Sequence, residues 1–322
     1  MDFLKVSAIY RKDELGFEIK NINFTIEQFS KTAIAGATGS GKSTLLKIIG
    51  GLAHADAGVV LFRGEKVANP LDTLIPGHKG IAYLSQHFEL RNNYRVEEIL
   101  SYGNTLDEDE AQNIYKICRI NHLLKRRTNQ ISGGERQRIA LTRLLVTSPK
   151  LLLLDEPFSN LDFTHKTILK SVIEDISETL QLTCILVSHD PQDVLSWAEN
   201  ILIIQNGAVI QQGSPKEIYK KPVNEYAAGL FGKYILLPGS VINYIVPGGK
   251  NLFVRSSQCT VNGTQKPVLK GVVKKISFAG DYYEVDIVIN QHFITIKTAT
   301  DNLKVDQPVT VSIQIPEEPW FI

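Results

Sequence analysis

Residues 36–44 read GATGSGKST. Gly36 is separated by four residues from Gly41-Lys42-Ser43, the spacing of a loop that wraps backbone N–H groups round phosphates. The apolar run at 32–35 predicts a strand before the loop, and 43–49 predicts a helix after it, which is the context the pattern requires. In such a loop Gly36, Thr38, Gly39, Ser40, Gly41 and Thr44 form the cradle. Lys42 reaches the β- and γ-phosphates, and the helix N-terminus adds a favourable dipole. The Ser43 hydroxyl is offered to Mg²⁺.

Working outward, Leu151-Leu-Leu-Leu-Asp155-Glu156-Pro157 is a second decisive stretch. A continuous apolar run is how a parallel strand covered on both faces reads. Ligands of open α/β sheets lie beyond the carboxyl ends of their strands. There Asp155 can hold Mg²⁺ through water, and Glu156 can orient and deprotonate the water that attacks the γ-phosphate. Further short apolar runs at 81–84 and 183–187 alternate with helical patterns at 135–146, 165–180 and 191–198. This alternation predicts a parallel sheet clothed by helices. Residues 92–130 are polar and strand-poor, and predict an inserted helical lobe of about 87–135.

The bulk numbers restrict the rest. A chain of 322 residues predicts two domains. With 35 basic and 34 acidic residues the formal charge is +1, which gives no basic surface for nucleic acid. Cys118, Cys184 and Cys259 form no close pair, so they read as three small buried side chains rather than a disulfide framework or zinc site. The first residues carry charge and no apolar core, so no signal peptide is expected. No apolar run approaches the roughly 20 residues a spanning helix needs.

The stretch ISGGERQRIAL, residues 131–141, places a Ser and two glycines before an amphipathic helix. Together with the two motifs above it resembles the ATP-binding cassette (ABC) ATPases. Their signature loop is usually written LSGGQ; here it is Ile131-Ser132-Gly133-Gly134-Glu135, with Ile and Glu as departures. The resemblance covers about residues 3–230 and implies a P-loop NTPase cassette with the helical lobe inserted. It implies ATP and Mg²⁺ as cofactors, with Ser43, Gln86 and Asp155 at the metal and Glu156, His189 and Gln86 as catalytic residues. Gln86 matches the glutamine that senses Mg²⁺ and water, Ser159-Asn160-Leu161-Asp162 the D-loop, and His189 the switch histidine. Tyr10 stands where the family places an aromatic that stacks on adenine. The resemblance also implies a head-to-tail homodimer, in which Ser132, Gly133, Gly134 and Asp162 serve a nucleotide bound by the other copy. Arg136 and Arg138 read as a solvated helix face, His54 and His165 as surface or structural residues, and Trp197 as core.

Near residue 235 the pattern changes to short alternating strands at 252–255, 271–278, 283–289, 292–297 and 309–313, separated by turn residues. Such spacing predicts a small all-β domain, giving expected domains of 1–234 and 235–322. The region from about 238 to 316 is similar to the OB/TOBE-like β-barrel of importer ATPases. Val254-Arg255-Ser256 resembles its "VRPE" strand without the Pro-Glu, and Trp320 is expected to pack the barrel end. Two readings stay open for this domain: a dimerisation or spacer module, or one that binds an oxyanion. The importer resemblance implies separate integral-membrane permease subunits, a solute-binding protein and a cytoplasmic position on the inner face of the membrane. It implies a docking surface at His87, Phe88 and Leu90, and a solute such as ferric ion, another ion, a polyamine or a sugar. A non-transport ABC-type ATPase is the competing reading; the chain shows none of the coiled coils, zinc modules or paired cassettes usual there.

Overall fold

The computed structural model describes residues 3–14, 16–86, 90–242, 246–264 and 267–322. It divides into two compact units, Met1–Pro215 and Lys216–Ile322. The change of pattern at 235 suggests a later boundary. Residues 216–234 nevertheless belong with the second unit, because Arg255 donates to the carbonyls of Tyr219, Ala228 and Gly232.

The first unit runs β1 (Leu4–Lys12), β2 (Glu18–Ile26), β3 (Lys31–Ala35), α1 (Lys42–Ile49), β4 (Ala57–Phe62), β5 (Glu65–Lys66) and β6 (Ile81–Leu84). The helices α2 (Val96–Ser101) and α3 (Glu108–Ile117) follow within the polar, strand-poor segment, and α4 (Gly133–Leu145) comes after it. Then come β7 (Leu151–Asp155), α5 (Phe163–Thr179), β8 (Thr183–Val187), α6 (Pro191–Trp197), β9 (Asn200–Gln205) and β10 (Ala208–Gly213). One sheet is antiparallel, in the order β2-β1-β4-β5; the other is mainly parallel, in the order β10-β9-β3-β8-β7-β6.

The four leucines of β7 show why its run is unbroken. Side chains alternate between faces along a strand. Leu152 and Leu154 enter a core with α4, α5 and the helical lobe, whereas Leu151 and Leu153 enter a second core with α1 and the antiparallel sheet. All four are fully buried, each burial being worth about 1.5–3 kcal/mol. Register then aligns the strand ends: Leu84 lies beside Leu154, Asp155 beside Val187, and Ile34 beside Val187. The loops after β3, β6, β7 and β8 therefore leave one edge of the sheet, where ligands of such sheets bind.

The second unit carries α7 (Pro215–Lys220), α8 (Glu225–Leu230), β11 (Tyr234–Leu237), α9 (Gly239–Ile242) and β12 (Leu252–Arg255). The strands β13 (Cys259–Val261), β14 (Val268–Phe278), β15 (Tyr283–Ile289), β16 (His292–Thr298), β17 (Pro308–Ile313) and β18 (Trp320–Phe321) complete it. They form sheets β11-β12-β18 and β13-β17-β14-β15-β16 over one apolar core. The Trp320 indole N–H donates to Pro222 O at 2.7 Å. All three cysteines are buried, with thiols pushed up to about 12 by burial. No helix of the described residues is long and apolar enough to cross a membrane.

Candidate functional site: a phosphate cleft at the sheet edge

The loops gather at a cleft of about 430 Å³ lined by Phe17, Thr38, Gly39, Gly41, Lys42, Ser43, Thr44, Gln86, Glu156 and His189. Gly39 and Gly41 have φ of 78° and 104°, values that favour glycine, and they let the loop curl before α1. Lys42 opens α1 and folds its ammonium back onto the Gly36 and Ala37 carbonyls at 2.8 and 2.9 Å. Burial holds its pKa below the ordinary lysine value, against the pull of Glu156 and Asp155. Ser40 is buried in the same loop and its hydroxyl has no partner.

At the end of β7, Asp155 is 4% exposed. Its Oδ1 accepts from the Ser43 hydroxyl at 2.8 Å and its Oδ2 from the Tyr83 hydroxyl at 2.7 Å. Burial, and then that bond to Asp155, pushes the Tyr83 phenol above its ordinary value. Glu156 follows with φ of 50°, a left-handed conformation unusual for its residue type, and strain of this kind clusters at functional sites. His189 Nδ1 stands 2.6 Å from Glu156 Oε2, and the Ser159 hydroxyl donates to Glu156 O at 2.8 Å. Charge, hydroxyl and carboxylates thus converge as phosphate chemistry needs.

Ser132, Gly133, Gly134 and Asp162 are not part of this lining. Ser132 caps α4: its Oγ accepts from the Glu135 N–H at 3.2 Å, while Glu135 Oε2 accepts from the Ser132 N–H at 2.7 Å. Glu135 in place of Gln keeps this reciprocal cap. Burial pushes its carboxyl up, but the Ser132 bonds, Arg126 and Arg138 outweigh it and hold the pKa low. Asp162 caps α5 and accepts from the His165 N–H at 2.9 Å.

A family profile described as "ABC transporter" matches residues 19–159. The sulfate/thiosulfate import ATP-binding protein CysA of Rhodopseudomonas palustris is 32% identical over 300 residues, covering 84% of each chain. The chain belongs to the ABC transporter ATP-binding proteins. The Fe(3+) ions import ATP-binding protein FbpC of Mesorhizobium japonicum is 32% identical over 75% of this chain and 68% of its own. Among solved structures, cbiO1 of Clostridium perfringens, part of the ABC transporter complex cbiONQ, matches with TM-score 0.58 and 28% identity over 68% of this chain and 90% of its own. A dimeric post-hydrolysis ATP-binding cassette bound to ADP and Pi matches with TM-score 0.56 and 25% identity over 66% of this chain and 98% of its own.

This ABC ATPase binds ATP, and its cleft fits the nucleotide with Mg²⁺. Ser43 Oγ and Asp155 Oδ1 are hard oxygen donors side by side. Two such donors suit an ion that keeps several waters and takes phosphate oxygens as well. Gln86 lines the same cleft.

One expectation changes, that for Arg138, and the structure places the other named residues as follows. Tyr10 is half-buried in β1, paired with Ala57, and does not line the cleft. The aromatic there is Phe17, whose ring packs so close to Gly41 that a Cβ would meet it at 2.8 Å. Phe17 lies just before β2, seven residues after the aromatic that the resemblance names. Arg138 is not a solvated residue: it is 8% exposed and donates to the Arg119 carbonyl at 2.7 Å, while Arg136 is exposed as expected. Leu90 packs against the first core, whereas His87 and Phe88 lie outside the described residues. Sequence reasoning also missed Tyr83, whose only signal is its place one residue before the end of β6.

Proposed function

We propose that two copies of this ATPase close head to tail around two ATP molecules, and that hydrolysis drives solute uptake through separate permease subunits. One observation carries the head-to-tail arrangement. Gly133 is exposed at the first position of α4, and a Cβ added there would meet nothing within 4 Å. Among the described residues nothing calls for a glycine at that point. A phosphate approaching the helix N-terminus from a second copy would call for one, because bare backbone N–H groups and the helix dipole bind anions.

In this reading Lys42 meets the β- and γ-phosphates from one side, and Ser132 with the Gly133 N–H meets the γ-phosphate from the other copy. Bound at Ser43, Asp155 and Gln86, Mg²⁺ supplies charge neutralisation on the phosphate oxygens. Glu156 takes the proton of the attacking water. His189 holds the Glu156 carboxylate through Nδ1 and so keeps its imidazole at the cleft wall. Asp162, beside the signature helix, belongs to the same shared interface. Loss of the bridging phosphate loosens the contact, so chemistry becomes motion.

Importer relatives support the transport half. They are named for sulfate/thiosulfate, Fe(3+) and glucose at 32% identity each. Similar cassettes with different solutes support a solute chosen by the permease and a solute-binding protein, with this chain peripheral on the inner face of the membrane. The chain's domains in this reading are a cassette and a C-terminal TOBE-like module.

The test is Gly133→Asp. An acidic residue in the first helical turn favours the isolated helix by about 0.3–1 kcal/mol, so the fold is kept. A carboxylate facing the partner's γ-phosphate abolishes ATP-driven dimerisation and hydrolysis. Parental turnover in Gly133→Asp refutes the head-to-tail arrangement. A multi-span protein co-purifying with the tagged chain from mild-detergent membranes supports import coupling; recovery with ribosomes or DNA refutes it.

A further inference from the structure

In the C-terminal unit Arg255 closes β12 and is 2% exposed. Its guanidinium is held by carbonyls rather than by a carboxylate: Nε donates to Tyr219 O at 3.1 Å, and Nη1 to Ala228 O and Gly232 O at 2.9 and 3.1 Å. Nη2, with two N–H donors, has no partner. Buried charges are ordinarily paired, and buried donors ordinarily satisfied. Burial lowers its pKa to about 10, so the cation persists at neutral pH.

Arg255 lines a cavity of about 400 Å³ together with Lys220, Ser257 and Trp320. The rings of Tyr219 and Phe253 lie 4.1 and 4.9 Å from its guanidinium carbon. They occupy the space beside the guanidinium, and with Nε and Nη1 engaged, Nη2 is the donor left for a ligand. Approach to a guanidinium edge is the geometry that carboxylate and phosphate oxygens use. The lining holds three cationic side chains and one carboxylate, Glu318, which pairs with Lys221 at 2.6 Å.

We propose that this cavity binds a small organic oxyanion, with its charged oxygens on Arg255 Nη2 and its body against Trp320. The site lies within the second unit and does not rest on the ATPase reading. Its volume exceeds that of a bare tetrahedral ion and falls within the range of small-molecule pockets.

The experiment uses the full chain with Trp197→Phe, which leaves Trp320 as the sole indole. Acetate, benzoate and citrate are titrated at constant ionic strength, with benzamide as the neutral counterpart of benzoate. Fluorescence and calorimetry are expected to show saturable binding of one anion per chain and no response to benzamide. Lys220→Glu, at the exposed edge of the cavity, is expected to weaken binding by roughly tenfold through like-charge repulsion. This variant leaves the carbonyl bonds of Arg255 intact, so its result does not depend on refolding around a lost guanidinium. No saturable binding of any of the three anions, an equal response to benzamide, or unchanged affinity in Lys220→Glu overturns the proposal.

Discussion

Replacing Gly134 by alanine puts a methyl carbon 2.3 Å from His165 Cδ2, 2.7 Å from Cγ and 2.9 Å from Cβ. The whole imidazole must therefore move, not just its tip. It is anchored: His165 Nδ1 lies 2.8 Å from Asp162 Oδ2. Overpacking of this kind costs about 1–3 kcal/mol. The gain in helix propensity from Gly to Ala offsets at most about 1 kcal/mol. A net loss of roughly 1–2 kcal/mol is expected. Urea unfolding of a Trp320→Phe chain, read through Trp197 in the first unit, measures it. The decisive comparison is a cycle with His165→Ala, where the new methyl finds space and the cost of Gly134→Ala shrinks by about 1 kcal/mol or more. An equal cost in both backgrounds refutes the packing argument, and with it the physical link between the signature glycine and the D-loop cap.

Two further outcomes follow from the geometry. Glu156→Gln is expected to lower turnover by roughly 10²–10⁴-fold, the usual range for a general base, while retaining ATP and accumulating the dimer in a gel-filtration assay. Hydrolysis at the parental rate sinks the assignment of Glu156 as base. Glu135→Ala opens the cap of α4 and is expected to cost about 0.5–2 kcal/mol at neutral pH. Because the Glu135 pKa is lower in the folded chain than the ordinary glutamate value of 4.5, its contribution is complete above that value and disappears as pH falls through the folded pKa. The stability difference between parent and variant, followed by denaturation from pH 7 downward, should therefore close in acid.

The sequence was most informative where one element alone carries the pattern. The phosphate loop between a strand and a helix, the unbroken leucines of β7 and the Ser-Gly-Gly start of α4 each state a local geometry. Their order along the chain carries the resemblance to a cassette, and that resemblance names Lys42, Ser43, Asp155, Glu156, Gln86 and His189 together; parallel strands deliver their following loops to the same edge. Ser132 and Gly133 do not line that cleft, and what the resemblance implies for them is a nucleotide held by the other copy.

Tertiary structure decided what depends on a neighbour from elsewhere in the chain. The family resemblance pointed to Tyr10 as the aromatic, whereas the ring that packs on Gly41 at the cleft is that of Phe17. Arg138 sits in a stretch that reads as an exposed helix face, yet the Cys118–Arg119 turn gives it carbonyls to bond in the interior. Nothing near Gly134 in sequence announces His165, and nothing beside Arg255 announces that its partners are the carbonyls of residues 219, 228 and 232. Periodicity reports which face of an element is apolar. Which side chain fills the space across from it, and which donor is left without an acceptor, depends on how separate elements pack, and that is determined only when the chain has folded.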